Sequence, residues 1–118
     1  MRDVQAIVNT LQCTDVEAAR SALALSFEQG LFLAEGSGSG GDVVAGGVRD
    51  LLRGSHATRP IEIVHQISSD VERMRSSSRT LLTERQQKLL DEVLNEWMRK
   101  FGSRIQRLLD EKYERIVG

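Results

Sequence analysis

The sequence is poor in cysteine, proline and aromatic residues. Among its 118 residues are one cysteine, one proline and one tryptophan, and the aromatic share is 4%. The single thiol, Cys13, cannot close an internal disulfide, and its neighbours include an acid rather than the bases that activate a thiol, so we expect a small packing residue. With few aromatics, Leu, Val, Ile and Ala supply most of the apolar volume. This composition favours an all-α fold over a sheet.

Long apolar runs and an excess of one charge are also absent. No segment approaches the roughly 18 apolar residues of a membrane span, and no charged-plus-apolar leader precedes a cleavage site. The net charge of −1 does not indicate nucleic acid or an anionic membrane. Residues 1–58 carry four basic and seven acidic side chains, whereas residues 59–118 carry twelve and ten. We expect a cytoplasmic or nuclear protein whose two segments have different roles.

Residues that could catalyse a reaction or bind a metal are few and poorly spaced. His56 and His65 have no thiol or carboxylate nearby at the spacing of a metal site, so no zinc site is predicted. A Ser–His–Asp set can be written from Ser68, His65 and Asp70, but a chain with this much Ser and Asp allows that by chance. The sequence predicts no metal, no cofactor and no enzymatic activity.

Three helices are predicted in the first half of the chain. Asp3 is the predicted N-cap of the first, Thr14 with Glu17 forms a capping box for the second, and Asp42 caps the third. Gly30 is predicted to end the second helix. The predicted apolar faces are Val4, Ile7, Val8 and Leu11; Val16, Ala19, Leu23 and Phe27; and Val44, Val48, Leu51 and Leu52.

These helices carry a resemblance to a known family. Residues 3–25, "DVQAIVNTLQCTDVEAARSALAL", and residues 41–52, "GDVVAGGVRDLL", combine an apolar first helix, a tight turn, an "AARSAL" second helix and a "GDV…LL" third helix. The pattern resembles the ubiquitin-associated (UBA) domain, including that of the nascent polypeptide-associated complex. The resemblance implies a compact three-helix module.

The resemblance also implies a binding site. UBA domains often bind ubiquitin through the turn after the first helix, here Leu11, Gln12 and Cys13, and through the end of the third helix, here Leu51 and Leu52. Ubiquitin-binding members usually have Met-Gly-Phe or Met-Gly-Tyr at the turn, where this chain has Leu-Gln-Cys. The resemblance therefore extends to the fold more than to ubiquitin as the partner.

A glycine–serine stretch, "GSGSGG" at residues 36–41, separates the second and third helices. Such a stretch forms a flexible coil, and lengthening a surface loop costs only about 0.6 kcal/mol per doubling. It is also the sequence that an engineer writes to tether two chains, in which case residues 1–35 are a helical peptide fused to its helical partner, residues 42–118. Both interpretations remain open.

The second half of the chain predicts a helical hairpin. Pro60 fits the first turn of one helix, which fades through the polar residues 76–80, and Thr83 with Gln86 forms a capping box for the next. Gly102 predicts a kink or break in the longer helix, with Ser103 and Gln106 re-capping it. The predicted apolar stripes are Val64, Ile67, Val71 and Met74; and Leu90, Val93 or Leu94, Trp97, Phe101, Ile105, Leu108 and Ile116.

The last helix is longer than residues 60–80 can cover, so its far end needs another partner. The first three helices, a second copy or a different protein could supply it, and homodimerisation through residues 84–117 is the arrangement that we favour. Trp97, Met98 and Phe101 gather large side chains in one turn and are candidate partner-binding residues, although Trp97 is also a natural core anchor.

The basic residues of the hairpin raise the alternative of nucleic-acid binding. Most are interleaved with acids at helical spacing, which indicates a solvated, self-neutralising face. Only "RMRSSSR", with Arg73, Arg75 and Arg79, carries positive charge that its neighbours do not compensate. A helical nucleic-acid-associated factor is therefore a second hypothesis, and we do not expect nucleic acid as the main partner.

The sequence as a whole predicts an all-α protein in two parts. Residues 1–53 form a UBA-like module, residues 54–59 a linker, and residues 60–118 a helical hairpin or coiled-coil segment. The predicted function is a non-enzymatic adaptor that binds a partner protein through apolar helical surfaces and dimerises through its hairpin.

Overall fold

Five α-helices form the chain in the computed structural model, which describes the backbone of residues 2–78 and 82–117 and the side chains of residues 4–76 and 82–114. This described part contains no strand, so the predicted all-α class is confirmed. The helices are α1 (Arg2–Leu11), α2 (Val16–Ala34), α3 (Val43–Gly54), α4 (Pro60–Ser78) and α5 (Glu84–Val117).

Two helix starts follow the predicted capping residues. The Asp42 side chain accepts a hydrogen bond from the Ala45 backbone N–H at 2.8 Å. The Thr83 hydroxyl accepts from the Gln86 N–H at 3.2 Å, and the Gln86 side chain accepts in return from the Thr83 N–H at 2.8 Å. The predicted N-cap of α3 and the predicted capping box of α5 are confirmed, because each depends on contacts within four residues.

Two other predicted starts are wrong. Asp15, not Thr14, caps α2, and its carboxylate accepts from the N–H groups of Glu17 and Ala18. Aspartate caps at least as well as threonine and also interacts favourably with the positive end of the helix dipole. In α1 the helix already begins at Arg2, so Asp3 lies inside its first turn rather than at the cap.

Gly30 does not end α2, contrary to the prediction. The helix continues to Ala34, and Gly36 adopts the left-handed backbone with φ of 78°. The Gly36 N–H donates to Leu33 O and the Ser37 N–H donates to Phe32 O, at 3.1 and 2.9 Å. This pair of bonds is the Schellman arrangement that terminates helices at glycine. The first glycine of "GSGSGG" therefore closes α2.

Gly30 instead allows α2 and α3 to approach each other. A Cβ atom placed on Gly30 would lie 2.5 Å from Val48 Cβ and 3.0 Å from Ala45 O, so only glycine fits. Beside this crossing, the Ser26 hydroxyl bonds the Asp42 carboxylate at 2.7 Å. The close contact between α2 and α3 is thus set by a residue without a side chain.

One continuous core collects side chains from all five helices. Helix α1 packs against both α3 and α4, and α2 packs against both α3 and α5. Residues on both sides of the predicted linker 54–59 therefore contribute to the same core, while the predicted division into modules and the UBA-like arrangement stay predictions. The fully buried large side chains are Val8, Leu11, Leu23, Phe27, Leu31, Leu52, Ile63, Val71, Leu90, Leu94, Ile105 and Leu109.

The predicted apolar stripes are mostly buried. Half-buried members are Val16, Leu51, Met74, Phe101 and Leu108, and the side chain of Ile116 lies outside the described residues. The remaining stripe residues of the five helices are in the core. Hydrophobic periodicity thus identified the inward face of each helix.

Helix α5 runs unbroken past Gly102, so the predicted break there is wrong. Gln106 does not re-cap a second segment, because its amide donates to Thr58 O and to the Asp110 carboxylate at 2.8 and 2.9 Å. Trp97 and Ile105, on either side of the glycine, are both buried. Packing on both sides keeps this stretch helical where local propensity alone favours a break.

The far half of α5 meets residues at the ends of α2 and α3. The Arg104 guanidinium pairs with the Glu35 carboxylate after α2. The Lys112 ammonium donates to Leu52 O at the end of α3, at 3.1 Å, and also to Ser55 O. The first of the three predicted sources therefore covers part of this helix, and homodimerisation through residues 84–117 stays a prediction.

Candidate functional site

The binding residues that the UBA resemblance implies, at the turn after α1 and at the end of α3, are only partly exposed. Gln12 and Cys13 are exposed after α1, so the expectation that Cys13 is a packing residue is wrong. Leu11 and Leu52 are fully buried, and Leu51 is half-buried. Of the five predicted residues, only Gln12 and Cys13 present exposed side chains to a partner.

The predicted aromatic cluster on α5 lies at the core and its edge. Trp97 is buried with its ring centroid 5.7 Å from that of Phe27, and its indole N–H has no hydrogen-bond partner among the described residues. Phe101 is half-buried, meets Phe32 edge-on at 6.5 Å and has Arg104 beside it. Met98 is also half-buried. Trp97 anchors the core in this structure.

The predicted basic stretch is more neutral than its sequence indicates. Arg73 contacts the Asp70 carboxylate at 2.6 Å, and Arg75 contacts Glu72 at 3.4 Å. Both pairs join residues three positions apart, which face each other on a helix. The expectation of uncompensated charge is therefore wrong for these two arginines, and Arg79 lies outside the described residues.

No group of three or more His, Cys, Asp or Glu side chains within residues 4–76 and 82–114 is placed to hold a metal ion. The Asp70 carboxylate accepts from Arg73 and Gln66. His65 is exposed. Within the same described part, no helix is both long and apolar enough to cross a membrane.

A surface on α2 is a candidate site that the sequence did not identify. Its exposed uncharged positions are Ala18, Ser21, Ala22, Ala24 and Leu25, and the exposed Glu17 lies one turn before Ser21 on the same side. Leu25 is 55% exposed, and Val43, at the start of α3, is 57% exposed. Together the six uncharged residues are called the α2 face below. Contiguous exposed apolar surface marks interaction sites, and these two side chains are the candidate apolar contacts.

Leu25 and Val43 lie near the junction between α2 and the start of α3. Each stands directly beside one member of the Ser26–Asp42 hydrogen bond, which joins α2 to the start of α3. Arg20, also on α2, reaches toward α5, where its guanidinium bonds the Glu92 carboxylate at 2.9 Å. This ion pair engages Arg20, whereas the Glu17 side chain stays 82% exposed.

The sequence did contain a signal for this surface. Helix α2 is apolar around most of its circumference, "VEAARSALALSFEQGLFLA", whereas an ordinary surface helix has one apolar stripe. The predicted inward face, with Leu23 and Phe27, was correct. The apolar residues on the opposite side of α2 were the signal for the candidate site.

Comparison with known proteins finds no match: no family model, no curated protein and no solved structure matches this chain.

Proposed function

We propose that the chain is a non-enzymatic interaction module that binds a partner protein through the α2 face. The observation that carries this proposal is the exposure of two large apolar side chains, Leu25 at 55% and Val43 at 57%. Covering apolar surface contributes about 25 cal/mol per Å². A partner that buries these two side chains gains this energy.

The shape of the α2 face favours a helix as the partner element. Ala18, Ser21 and Ala22 are small, so a second helix could approach α2 at an interaxial distance of about 8 Å. Leu25 would then fill a gap between side chains of the partner. An amphipathic helix with a narrow apolar stripe meets these requirements.

The charges at the edge of the α2 face indicate the polarity of the partner. Glu17 and Glu28 lie on α2 beside the uncharged positions, and Asp15 caps the start of this helix. Glu17 has one distant ion pair, 3.9 Å from Arg20, and 82% of its side chain is exposed. A partner helix whose apolar stripe is flanked by Lys or Arg would complement this acidic edge.

A display library of amphipathic helical peptides, half with basic and half with acidic flanks, tests the proposal. Selected peptides are measured by fluorescence anisotropy against the wild type, Leu25→Glu and Tyr113→Glu. Tyr113 is a matched control, because it is 57% exposed and lies on α5. We expect basic-flanked peptides to be enriched, Leu25→Glu to weaken their binding at least about tenfold, and Tyr113→Glu to change it little.

Equal effects of the two substitutions, or enrichment of acidic flanks, would contradict the proposal. Ubiquitin is included as a probe because of the UBA resemblance, and binding that depends on Gln12 rather than Leu25 would place the site at the turn after α1. Light scattering of the wild type and of Leu25→Glu tests the predicted homodimer. A dimer lost in Leu25→Glu would assign the α2 face to a second copy.

A further inference from the structure

A basic cavity of about 800 Å³ lies where the end of α2, the end of α3 and the second half of α5 meet. Its volume is within the range of small-molecule sites. The loop residues Gly36 and Ser37 form part of its wall. The charged side chains that line it are Arg53, Arg104, Arg107, Lys112, Glu35 and Glu111.

Two of the four cations are held by groups of the protein. Arg104 is paired with Glu35. Arg53 donates to Leu33 O at 2.8 Å and to Ala34 O at 3.4 Å, the carbonyl groups at the end of α2. These contacts fix both guanidinium groups at the cavity wall, and the carbonyl groups do not neutralise the charge of Arg53.

The other two cations have no carboxylate partner among the described side chains. Lys112 donates to the carbonyl oxygens of Leu52 and Ser55, and its partial burial lowers its pKa below the ordinary value. Arg107 makes no hydrogen bond or ion pair within the described part of the chain, although Glu111 stands one turn further along α5. The donors of Arg107 are therefore open to a ligand.

The lining has an excess of two positive charges, in a chain whose net charge is −1. A concave wall of one sign raises the local concentration of the opposite ion. An anion in the cavity would also favour the protonated form of Lys112, which burial alone disfavours.

We propose that this cavity binds a small phosphorylated ligand of the diphosphate class. Guanidinium groups match phosphate oxygens in pairs, and a diphosphate complements the two excess charges. No aromatic side chain lines the cavity, so it offers no platform on which a nucleobase could stack. The site therefore recognises phosphoryl groups rather than a base.

Titration of the full chain with pyrophosphate, by calorimetry and amide NMR shifts, tests this inference. We expect Arg107→Gln to weaken binding about tenfold, because a charge-assisted contact is lost. Arg85→Gln is the matched control, since Arg85 is exposed on the same helix and lies outside the cavity. Glu111→Gln should tighten binding about threefold by removing a negative charge from the wall, a gain that misfolding cannot imitate.

The NMR shifts should concentrate at Gly36, Ser37 and the residues near Arg107. Equal losses in Arg107→Gln and Arg85→Gln would show non-specific attraction to the surface and overturn the proposal. Tighter binding of a single-stranded oligonucleotide than of pyrophosphate would replace the small ligand with nucleic acid. Absence of binding at low salt would also overturn it. None of these results bears on peptide binding at Leu25, so this inference fails or succeeds independently of the proposed function.

Discussion

The contact between α2 and α3 predicts a large effect for Gly30→Ala. The added methyl group would lie 2.5 Å from Val48 Cβ and 2.6 Å from Val48 Cγ1. Carbon atoms in contact are normally about 3.5–4.0 Å apart. A rotamer change at Val48 moves Cγ1 but not Cβ, which is fixed to the backbone. The two helices must therefore move apart by about 1 Å.

Two opposing terms set the magnitude for Gly30→Ala. Alanine is better than glycine in a helix by about 1 kcal/mol. Overpacking of a well-packed core costs about 1–3 kcal/mol and occasionally more. The cost should lie at the upper end, because the Ser26–Asp42 bond and the Arg53–Leu33 bond both resist separation of the helices. We expect a net loss of about 2 kcal/mol in the free energy of unfolding.

Gly102→Ala is the matched control with the opposite expected sign. Gly102 lies inside α5, and no atom of another part of the described chain lies within 4 Å of the position that an added methyl group would take, so only the propensity gain remains. We expect a gain of about 1 kcal/mol. Urea unfolding followed by far-UV circular dichroism and Trp97 fluorescence measures both variants. A Gly30→Ala variant as stable as the wild type would refute the close contact, and a destabilised Gly102→Ala variant would favour the break that the sequence predicted.

Two further substitutions test other parts of the fold. Asp42→Ala removes the N-cap of α3 and the partner of the buried Ser26 hydroxyl, so urea unfolding should show a loss of about 2–3 kcal/mol, against about 1 kcal/mol for Asp15→Ala, which removes a cap alone. Equal losses would contradict the role of Ser26. Desolvation raises the pKa of Asp91 in the folded state. The charged Asp91 therefore destabilises the fold increasingly as the pH rises from the ordinary pKa of aspartate through the raised pKa of the folded state. Thermal unfolding of Asp91→Asn should therefore show a small rise in Tm at about pH 7 that disappears near pH 3, and a rise of equal size at both pH values would exclude this cause.

Several features that depend on nearby residues were predictable from the sequence, although the caps of α1 and α2 were not. Asp42 and the Thr83–Gln86 capping box act within three residues of themselves, and the apolar stripes follow helical spacing. The two misread glycines, Gly30 and Gly102, depend instead on distant neighbours. From the local sequence alone, a glycine indicates a helix end. Gly30 is instead needed inside α2, because Val48 leaves no room there for a Cβ atom.

The candidate sites were harder to predict than the helices. Trp97 has the properties of either a core anchor or a binding residue, and periodicity cannot distinguish them because both lie on an apolar stripe. The basic cavity was not predicted because its members come from three helices: Lys112 contacts Ser55, which is 57 residues away. Convergence of this kind is a property of the fold alone.

The composition of α2 connects the fold to the proposed function. Leu23, Phe27 and Leu31 are fully buried, and Phe27 packs against Trp97 of α5, yet Leu25 remains 55% exposed. Helix α5 shows the contrasting case, since its outward positions are largely charged, including Glu92 and Glu96. Packing within the chain requires apolar residues only on the inward side of each helix. The apolar residues on the outward side of α2 exceed that requirement, and burial by a partner is the role that would use them.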